Sequence, residues 1–220
     1  MEVEQKRKDS SKGVFREYMK GKVKLERYQK IGILFLIVVI SGVFGWFWEF
    51  LLQESSGGFQ TLYIKGGNLL PWINLYAIGA ILIIALTYRL RRYPWAVFLV
   101  AAVACGLLEL LAGWLAYTLF DGARYWNYSE QWWAFGNLYG FICPASVCAF
   151  GIGALILIYG LLPWCVKLAQ KMSRRAFLTL AIVPFALVMT DEIVNLVLKT
   201  FELPTAMDLY ESWGWKYKIK

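Results

Sequence analysis

Three acidic residues interrupt long apolar blocks of this chain: Glu49, Glu109 and Asp191. A carboxylate at membrane depth costs about 2.5–3.5 kcal/mol on insertion scales, so it must be protonated, paired or in contact with water. We interpret Glu109, near the middle of its block, as functional, and Glu49, nearer the outer boundary, as a structural hydrogen-bonding residue. Asp191 and Asn195 share a helix face at i and i+4. We expect Asp191 to face the bundle and Glu192 to face a loop or headgroups.

The residue types also exclude several chemistries. The chain contains no histidine, which is the commonest general base and metal ligand. Ser-His-Asp and Cys-His catalysis are therefore excluded, and no CxxC spacing occurs among Cys105, Cys143, Cys148 and Cys165. We expect no metal site and no cofactor, we assign no catalytic residue, and we favour a protein that is not an enzyme.

The elements that position these residues are membrane helices. Of the 220 residues, 59% are hydrophobic and 17% are charged, whereas a soluble domain averages about 45–50% apolar residues. The excess falls in blocks of about 20 residues, the length of a bilayer crossing. We predict an all-α polytopic bundle of about five transmembrane helices, at 31–52, 71–90, 95–120, 144–166 and 176–198. The predicted regions are a basic segment at 1–29, a transmembrane domain at 30–200 and an outer tail at 201–220.

Charge sets the predicted orientation. The net charge is +8, yet ten of the 23 Lys and Arg residues precede the first apolar block, which is typical of a cytoplasmic flank rather than of a nucleic-acid-binding protein. We predict a multi-pass protein of the cell (inner) membrane with its N-terminus in the cytoplasm. Val14, Tyr18 and Val23 recur at helical spacing within the basic segment, which indicates either an amphipathic helix on the membrane face or a partly ordered tail.

Two similar units follow one another along the chain. Each has an acid, a Gly-Asn-Leu tripeptide, a proline and a Gly-Ala pair in the same order, beginning at Glu49 and at Glu109. The order predicts two parallel two-helix repeats, helices 1–2 and 3–4, with a site between them. Proline is favoured at the first helical position, so we predict that Pro71 and Pro144 open helices 2 and 4 with their N-termini near the two acids.

An aromatic-rich loop at 121–140 lies between the third and fourth predicted helices. It is too aromatic for a solvated linker, and we interpret it either as a lid over an outer cavity or as a membrane-surface anchor. Together with the repeats, it completes a set of candidate substrate- or ion-binding residues. They are Glu49, Asn68, Tyr76, Glu109, Arg124, Trp126, Tyr128, Asn137, Ser146 and Asp191.

The same blocks resemble a known family. The segments 46–49, 67–80, 108–114 and 125–129, followed by Asn137, Gly140, 142–143 and Ser146, are similar to the bacterial family labelled putative ABC-transporter type IV. The resemblance covers about residues 40–155 and implies a transporter permease.

Four positions depart from that family's pattern. Members typically carry Asp where Asn127 stands and Arg where Phe141 stands, and they often carry Cys-Pro where Ile73 and Asn74 stand. An acid and a base are thus absent together. We hypothesise that they pair in relatives and were lost jointly.

The function favoured by the sequence is an ABC-type permease component with a polar site in the outer half of the bilayer. No Gly-rich phosphate-binding loop with Lys-Ser/Thr is present, so an ATPase would be a separate subunit, and residues 1–29 offer the room to dock it. The partners considered are the lipid bilayer, that ATPase and a homo-oligomer. The alternatives are an intramembrane enzyme acting on a lipid-linked substrate and a membrane assembly or sensing protein without catalysis.

Overall fold

The chain forms helices throughout the part that the computed structural model describes. This part comprises residues 13–63, 68–119, 122, 124, 126–131 and 133–214, with the backbone alone at 50–63. The helices are α1 (13–20), α2 (Arg27–Tyr63), α3 (Asn74–Thr87), α4 (Pro94–Leu119), α5 (Pro144–Ile156), α6 (Leu162–Lys171), α7 (Arg174–Thr200) and α8 (Ala206–Ser212). A 3-10 turn, Tyr88–Leu90, extends α3, and a π-helical turn, Leu157–Leu161, joins α5 to α6.

Four stretches are long and apolar enough to cross a membrane: Arg27–Glu49, Pro94–Leu119, Pro144–Lys171 and Arg174–Thr200. The remaining apolar helix, Asn74–Leu90, is shorter and lies at the lower limit of about 17 residues for a crossing. A helical membrane bundle is thus what the molecule forms. The fifth crossing depends on this short helix.

Two sequence-based boundaries are wrong. The first predicted helix ends at Leu52, but α2 continues to Tyr63, through Gly57 and Gly58. The stretch is polar, yet it contains no proline to remove a main-chain donor, so the helical hydrogen bonds continue. The second predicted helix begins at Pro71, but α3 begins at Asn74, because Ile73 is extended and is the N-cap, with its amide donating to the Gly42 carbonyl over 3.1 Å.

The helical units α2, α3, α4 and α5–α6 form a ring in chain order, and α7 packs back on the first of them. α2 packs against α3, α6 and α7, and α4 packs against α3 and α5. Since α5 and α6 form one span, these contacts close a ring from α2 through α3, α4 and α5–α6 back to α2. α7 packs on the outside of α2, where Phe185 stacks on Phe35 at a centroid distance of 4.0 Å. The main core fills the ring around Ile37, Val97 and Ile158.

The bundle has two distinct ends. We call the end formed by α1, the 88–93 turn and residues 167–175 the basic end. There Tyr18 of α1 is 1% exposed and belongs to the main core. We call the end formed by residues 68–74 and by the described residues of 122–143 the loop end. The predicted C-terminal tail contains α8, whose Tyr210 is also 1% exposed and packs at the loop end.

Candidate functional site

Glu109 of α4 is buried near the loop end, with 7% of its surface exposed. Both of its carboxylate oxygens accept hydrogen bonds. The Tyr128 hydroxyl donates to one oxygen over 2.8 Å, and the Ser146 hydroxyl donates to the other over 2.9 Å. The cost of burying this acid is therefore reduced by two donors that come from different elements.

Ser146 is held by the start of α5. Pro144 occupies the first turn, as the sequence predicted, and Cys143 is the N-cap. The Cys143 amide donates to the Ser146 hydroxyl oxygen over 3.3 Å, and the Ser146 amide donates to the Cys143 sulfur over 3.4 Å. This reciprocal arrangement is a capping box, with sulfur in the place of the usual oxygen. It fixes the hydroxyl that Glu109 uses.

Glu49 of α2 joins the same region through α3. The Tyr76 hydroxyl donates to Glu49 over 2.8 Å. The Tyr76 ring lies directly against Gly45, where a Cβ atom would overlap it. Glu49 lies close enough to Glu109 for the two carboxyl groups to interact electrostatically. We call Glu49, Tyr76, Glu109, Tyr128 and Ser146 the carboxyl cluster.

Tyr128 lies in the loop outside the membrane spans, within a 3-10 turn that packs it against the Trp133 ring at 5.8 Å. Burial raises the pKa of the Tyr128 phenol well above its ordinary value, and the nearby Glu109 charge raises it further. A phenol that keeps its proton remains a hydrogen-bond donor to Glu109.

Asp191 lies in a different network. It accepts hydrogen bonds from the amides of Leu69 and Leu70, at 3.2 and 2.7 Å. Asn195 donates to the Asp191 carboxylate over 3.2 Å. These bonds hold the segment just before Pro71 against α7.

Asn68 completes this second network, which we call the loop clamp. Its side-chain amide donates to Glu192 over 2.6 Å, and Asn74 donates to the other oxygen of Glu192 over 2.8 Å. The Tyr210 hydroxyl of α8 donates to the Asn68 carbonyl over 2.9 Å. Glu192 therefore faces the 68–74 loop, and α3, α7 and α8 are tied together.

The remaining candidates shape the aromatic loop. Arg124 donates to the Tyr139 carbonyl over 2.8 Å, and its guanidinium lies 4.8 Å from the centre of the Phe141 ring. The Trp126 indole donates to the Phe141 carbonyl over 2.8 Å. Asn137 accepts a hydrogen bond from the Gly140 amide over 3.1 Å. Their hydrogen bonds are with the loop itself, and Arg124 also lies 5.0 Å from the centre of the Tyr117 ring of α4.

Gly140 is required by this loop. Its φ is 75°, a region that favours glycine, and a Cβ atom there would collide with the Asn127 side chain and lie 2.9 Å from the Arg124 guanidinium. Arg124 and Asn127 thus meet at one point beside Gly140. The family resemblance places the lost base at position 141. Phe141 lies beneath the Arg124 guanidinium, so Arg124 supplies a cation near that position.

The structure therefore divides the ten candidates. Glu49, Tyr76, Glu109, Tyr128 and Ser146 come together, Asn68 and Asp191 belong to the loop clamp, and Arg124, Trp126 and Asn137 fold the aromatic loop. Sequence reasoning missed Cys143 as a cap and Tyr210 as a clamp residue. The Ser three residues after Cys143 was the available signal for the cap; we find none for Tyr210.

With this geometry established, comparison with known proteins is informative. The family model for putative ABC-transporter type IV matches residues 34–196. The chain belongs to this family. The match includes all of the candidate residues and extends into α7 as far as residue 196, beyond the region on which the resemblance was first based, while α1 and α8 lie outside it. This putative ABC-transporter type IV protein is thus a membrane protein of an ABC-transporter-like family. No curated protein and no solved structure matches it.

Proposed function

We propose that this chain is the membrane-spanning permease component of an ABC-type transporter and that the carboxyl cluster is its binding site. One observation carries the proposal. Two carboxyl groups from different helices, Glu49 and Glu109, each accept hydrogen bonds from hydroxyl donors and lie near enough to each other to interact electrostatically. Acidic residues at membrane depth, facing the bundle interior, commonly mark ligand or ion pathways.

The chemistry of the cluster limits the ligand class. Two neighbouring carboxyl groups repel each other when both are ionised, so a cation, a proton or the ammonium of a zwitterion would be stabilised between them. Tyr76 and Tyr128 can turn their hydroxyls to accept as well as donate, and so could contact a bound ammonium. Membership of the family supports transport of such a ligand over its conversion.

The proposed orientation places the basic end in the cytoplasm of the cell and the carboxyl cluster in the outer half of the bilayer. Exposed cations at the basic end, among them Lys20, Arg92 and Arg175, agree with the positive-inside rule. Phe135→Cys, at an exposed loop-end position, should react with a membrane-impermeant maleimide on intact cells, above the signal of the parent chain. Lys171→Cys, at the basic end, should react only after permeabilisation. The opposite pattern would reverse the orientation.

The chain has no phosphate-binding loop, so ATP would be hydrolysed by a separate subunit. The exposed basic end is the surface we propose for docking it, and α1 is part of that surface. Residues 1–12 of the predicted docking segment lie outside the described residues.

The test uses the full chain purified from its own membranes. An ATP-binding subunit should co-purify, be labelled by a photoreactive ATP analogue, and hydrolyse ATP in the reconstituted complex. Glu109→Gln and Glu49→Gln should each change that hydrolysis several-fold, whereas Glu211→Gln, at an exposed position in α8, should not. If no ATP-binding chain co-purifies, or if both cluster variants hydrolyse ATP as the parent complex does, the permease assignment is wrong.

A further inference from the structure

The α5–α6 span contains a main-chain acceptor that its own helix leaves without a donor. In the π-helical turn Leu157–Leu161, the Leu162 amide donates to the Leu157 carbonyl, five residues earlier. In the same register, the Ile158 carbonyl would accept from residue 163. That residue is Pro163, which has no N–H. In this π-helical register, Pro163 therefore leaves the Ile158 carbonyl without a donor from its own helix, inside an apolar span.

Tyr18 supplies the missing donor. Its hydroxyl donates to the Ile158 carbonyl over 2.9 Å, across 140 positions of sequence. Tyr18 is 1% exposed and Ile158 is fully buried, so water does not compete for this carbonyl. The donor belongs to α1, outside the four candidate spans, while the acceptor lies within one of them.

A second set of contacts holds the main chain of Tyr18. The Arg91 guanidinium donates to the Tyr18 carbonyl over 3.1 Å and lies 4.2 Å from the centre of the Tyr88 ring. The Tyr159 hydroxyl donates to the Arg91 carbonyl over 2.8 Å. Tyr159 follows Ile158 in the π-helical turn, so α1, the 88–93 turn and the π-helical turn form one closed circuit of hydrogen bonds.

We propose that α1 is a latch on the α5–α6 span, fastened by the hydrogen bond from Tyr18 to the carbonyl that Pro163 leaves unpaired. While α1 is docked, the π-helical turn keeps its shape. When α1 is drawn away, the Ile158 carbonyl loses its partner and the turn must rearrange, because a buried unpaired carbonyl is unfavourable. π-Helical turns and prolines are points at which helices bend. Release of α1 therefore changes the course of α5, whose other end carries Ser146.

This inference does not depend on the permease assignment, because it concerns the coupling of two segments within the chain. A partner at the basic end would release α1 by binding its exposed face, which carries Arg16, Glu17 and Lys20.

The first measurement is hydrogen exchange of the full chain in lipid nanodiscs. Tyr18→Phe keeps the ring and removes the hydroxyl, and it should speed exchange of the amides of 157–166 about tenfold, the factor expected for one lost hydrogen bond to a buried group. Trypsin cleavage at Arg16 and Lys20 should accelerate in parallel. Tyr93→Phe, at a 57% exposed position of the same end, is the matched control and should change neither.

The second measurement separates the latch from a general loss of packing. Pro163→Ala restores an amide that can donate to the Ile158 carbonyl, so this variant alone should already loosen α1 and increase cleavage at Arg16 and Lys20. In that background Tyr18→Phe should add little, and the two substitutions should be non-additive. If Tyr18→Phe increased cleavage as much in the Pro163→Ala background as in the parent chain, the latch would be overturned. Unchanged amide exchange in the Tyr18→Phe single variant would overturn it as well.

Discussion

The Ser146 hydroxyl, at the start of α5, donates to the Glu109 carboxylate of α4 over 2.9 Å. This contact joins the two helices of the second predicted repeat at a buried point. The Tyr128 phenol completes the coordination of the carboxylate from the loop between them. One acid thus organises two helices and their connection.

Replacing Glu109 should lower stability. In Glu109→Gln, one oxygen that accepts a hydrogen bond becomes an NH2 group, so either Tyr128 or Ser146 loses its acceptor. We expect unfolding in detergent to require about 1–3 kcal/mol less free energy, the usual cost of a buried unpaired polar group. Thermal unfolding followed by tryptophan fluorescence measures this. The exposed Glu211→Gln change is the reference, and equal midpoints for the two variants would contradict the buried role of Glu109.

Two glycines in neighbouring helices should respond oppositely to alanine. At Gly45 the added Cβ would overlap the Tyr76 ring, whereas at Gly79 no atom lies within 4 Å of it. Gly45→Ala should therefore destabilise the protein by about 1–3 kcal/mol through overpacking. Gly79→Ala should stabilise it by about 0.5–1 kcal/mol, because alanine loses less backbone entropy in a helix. The same melting experiment tests both, and a stabilising Gly45→Ala would show that α2 and α3 do not approach here.

The loop clamp should depend on the charge of Asp191. In Asp191→Asn, one of the two oxygens that accept from the Leu69 and Leu70 amides is replaced by a donor. Hydrogen bonds to charged groups contribute about 1.5–3 kcal/mol, so these two amides should exchange with solvent faster by at least about tenfold. Hydrogen exchange resolved at residues 68–70 is the measurement. Glu202→Gln, at an exposed position after α7, should leave their exchange as it was.

The joint loss of an acid and a base predicts non-additive substitutions. Asn127 donates to Glu130 over 3.0 Å, so Asn127→Asp alone removes that donor and sets two carboxylates side by side. We expect it to lower the melting temperature. Adding Phe141→Arg should restore stability by supplying the pairing cation. If the single and double variants melt at the same temperature, the two positions are not a pair and Arg124 alone balances the charge at this point.

Tyr128 should make stability sensitive to alkaline pH. Burial, reinforced by the Glu109 charge, raises its pKa above the ordinary value of about 10. A raised pKa means that the folded chain holds this proton more tightly than the unfolded chain. The associated stabilisation is therefore complete below about pH 10 and is lost as the pH rises above it. Unfolding midpoints measured from pH 8 to 11 should fall less steeply for Tyr128→Phe than for the parent, while Tyr139→Phe, at a 77% exposed position, should follow the parent.

Several elements could be read from the sequence because a local signal decides them. The spans α4 and α7 were predicted to within two residues of their observed bounds, since long apolar blocks leave little choice of structure. Pro144 opens α5 as predicted. Pro71 does not open α3, although its local signal is the same, because Ile73 is extended and its amide donates to the Gly42 carbonyl of α2 over 3.1 Å. A propensity for a helix start is realised only where the contacts of the bundle leave the backbone in a helical conformation.

By itself, the sequence determined that this chain is a helical membrane protein and that Glu49, Glu109 and Asp191 would need partners there, because hydropathy and the cost of burying a charge are properties of the residues. Only the tertiary structure decided which acids meet. Helical periodicity states which residues share one face of one helix. Which helices become neighbours depends on packing across the whole bundle, and this brings Glu49 to Glu109 while directing Asp191 to the loop clamp.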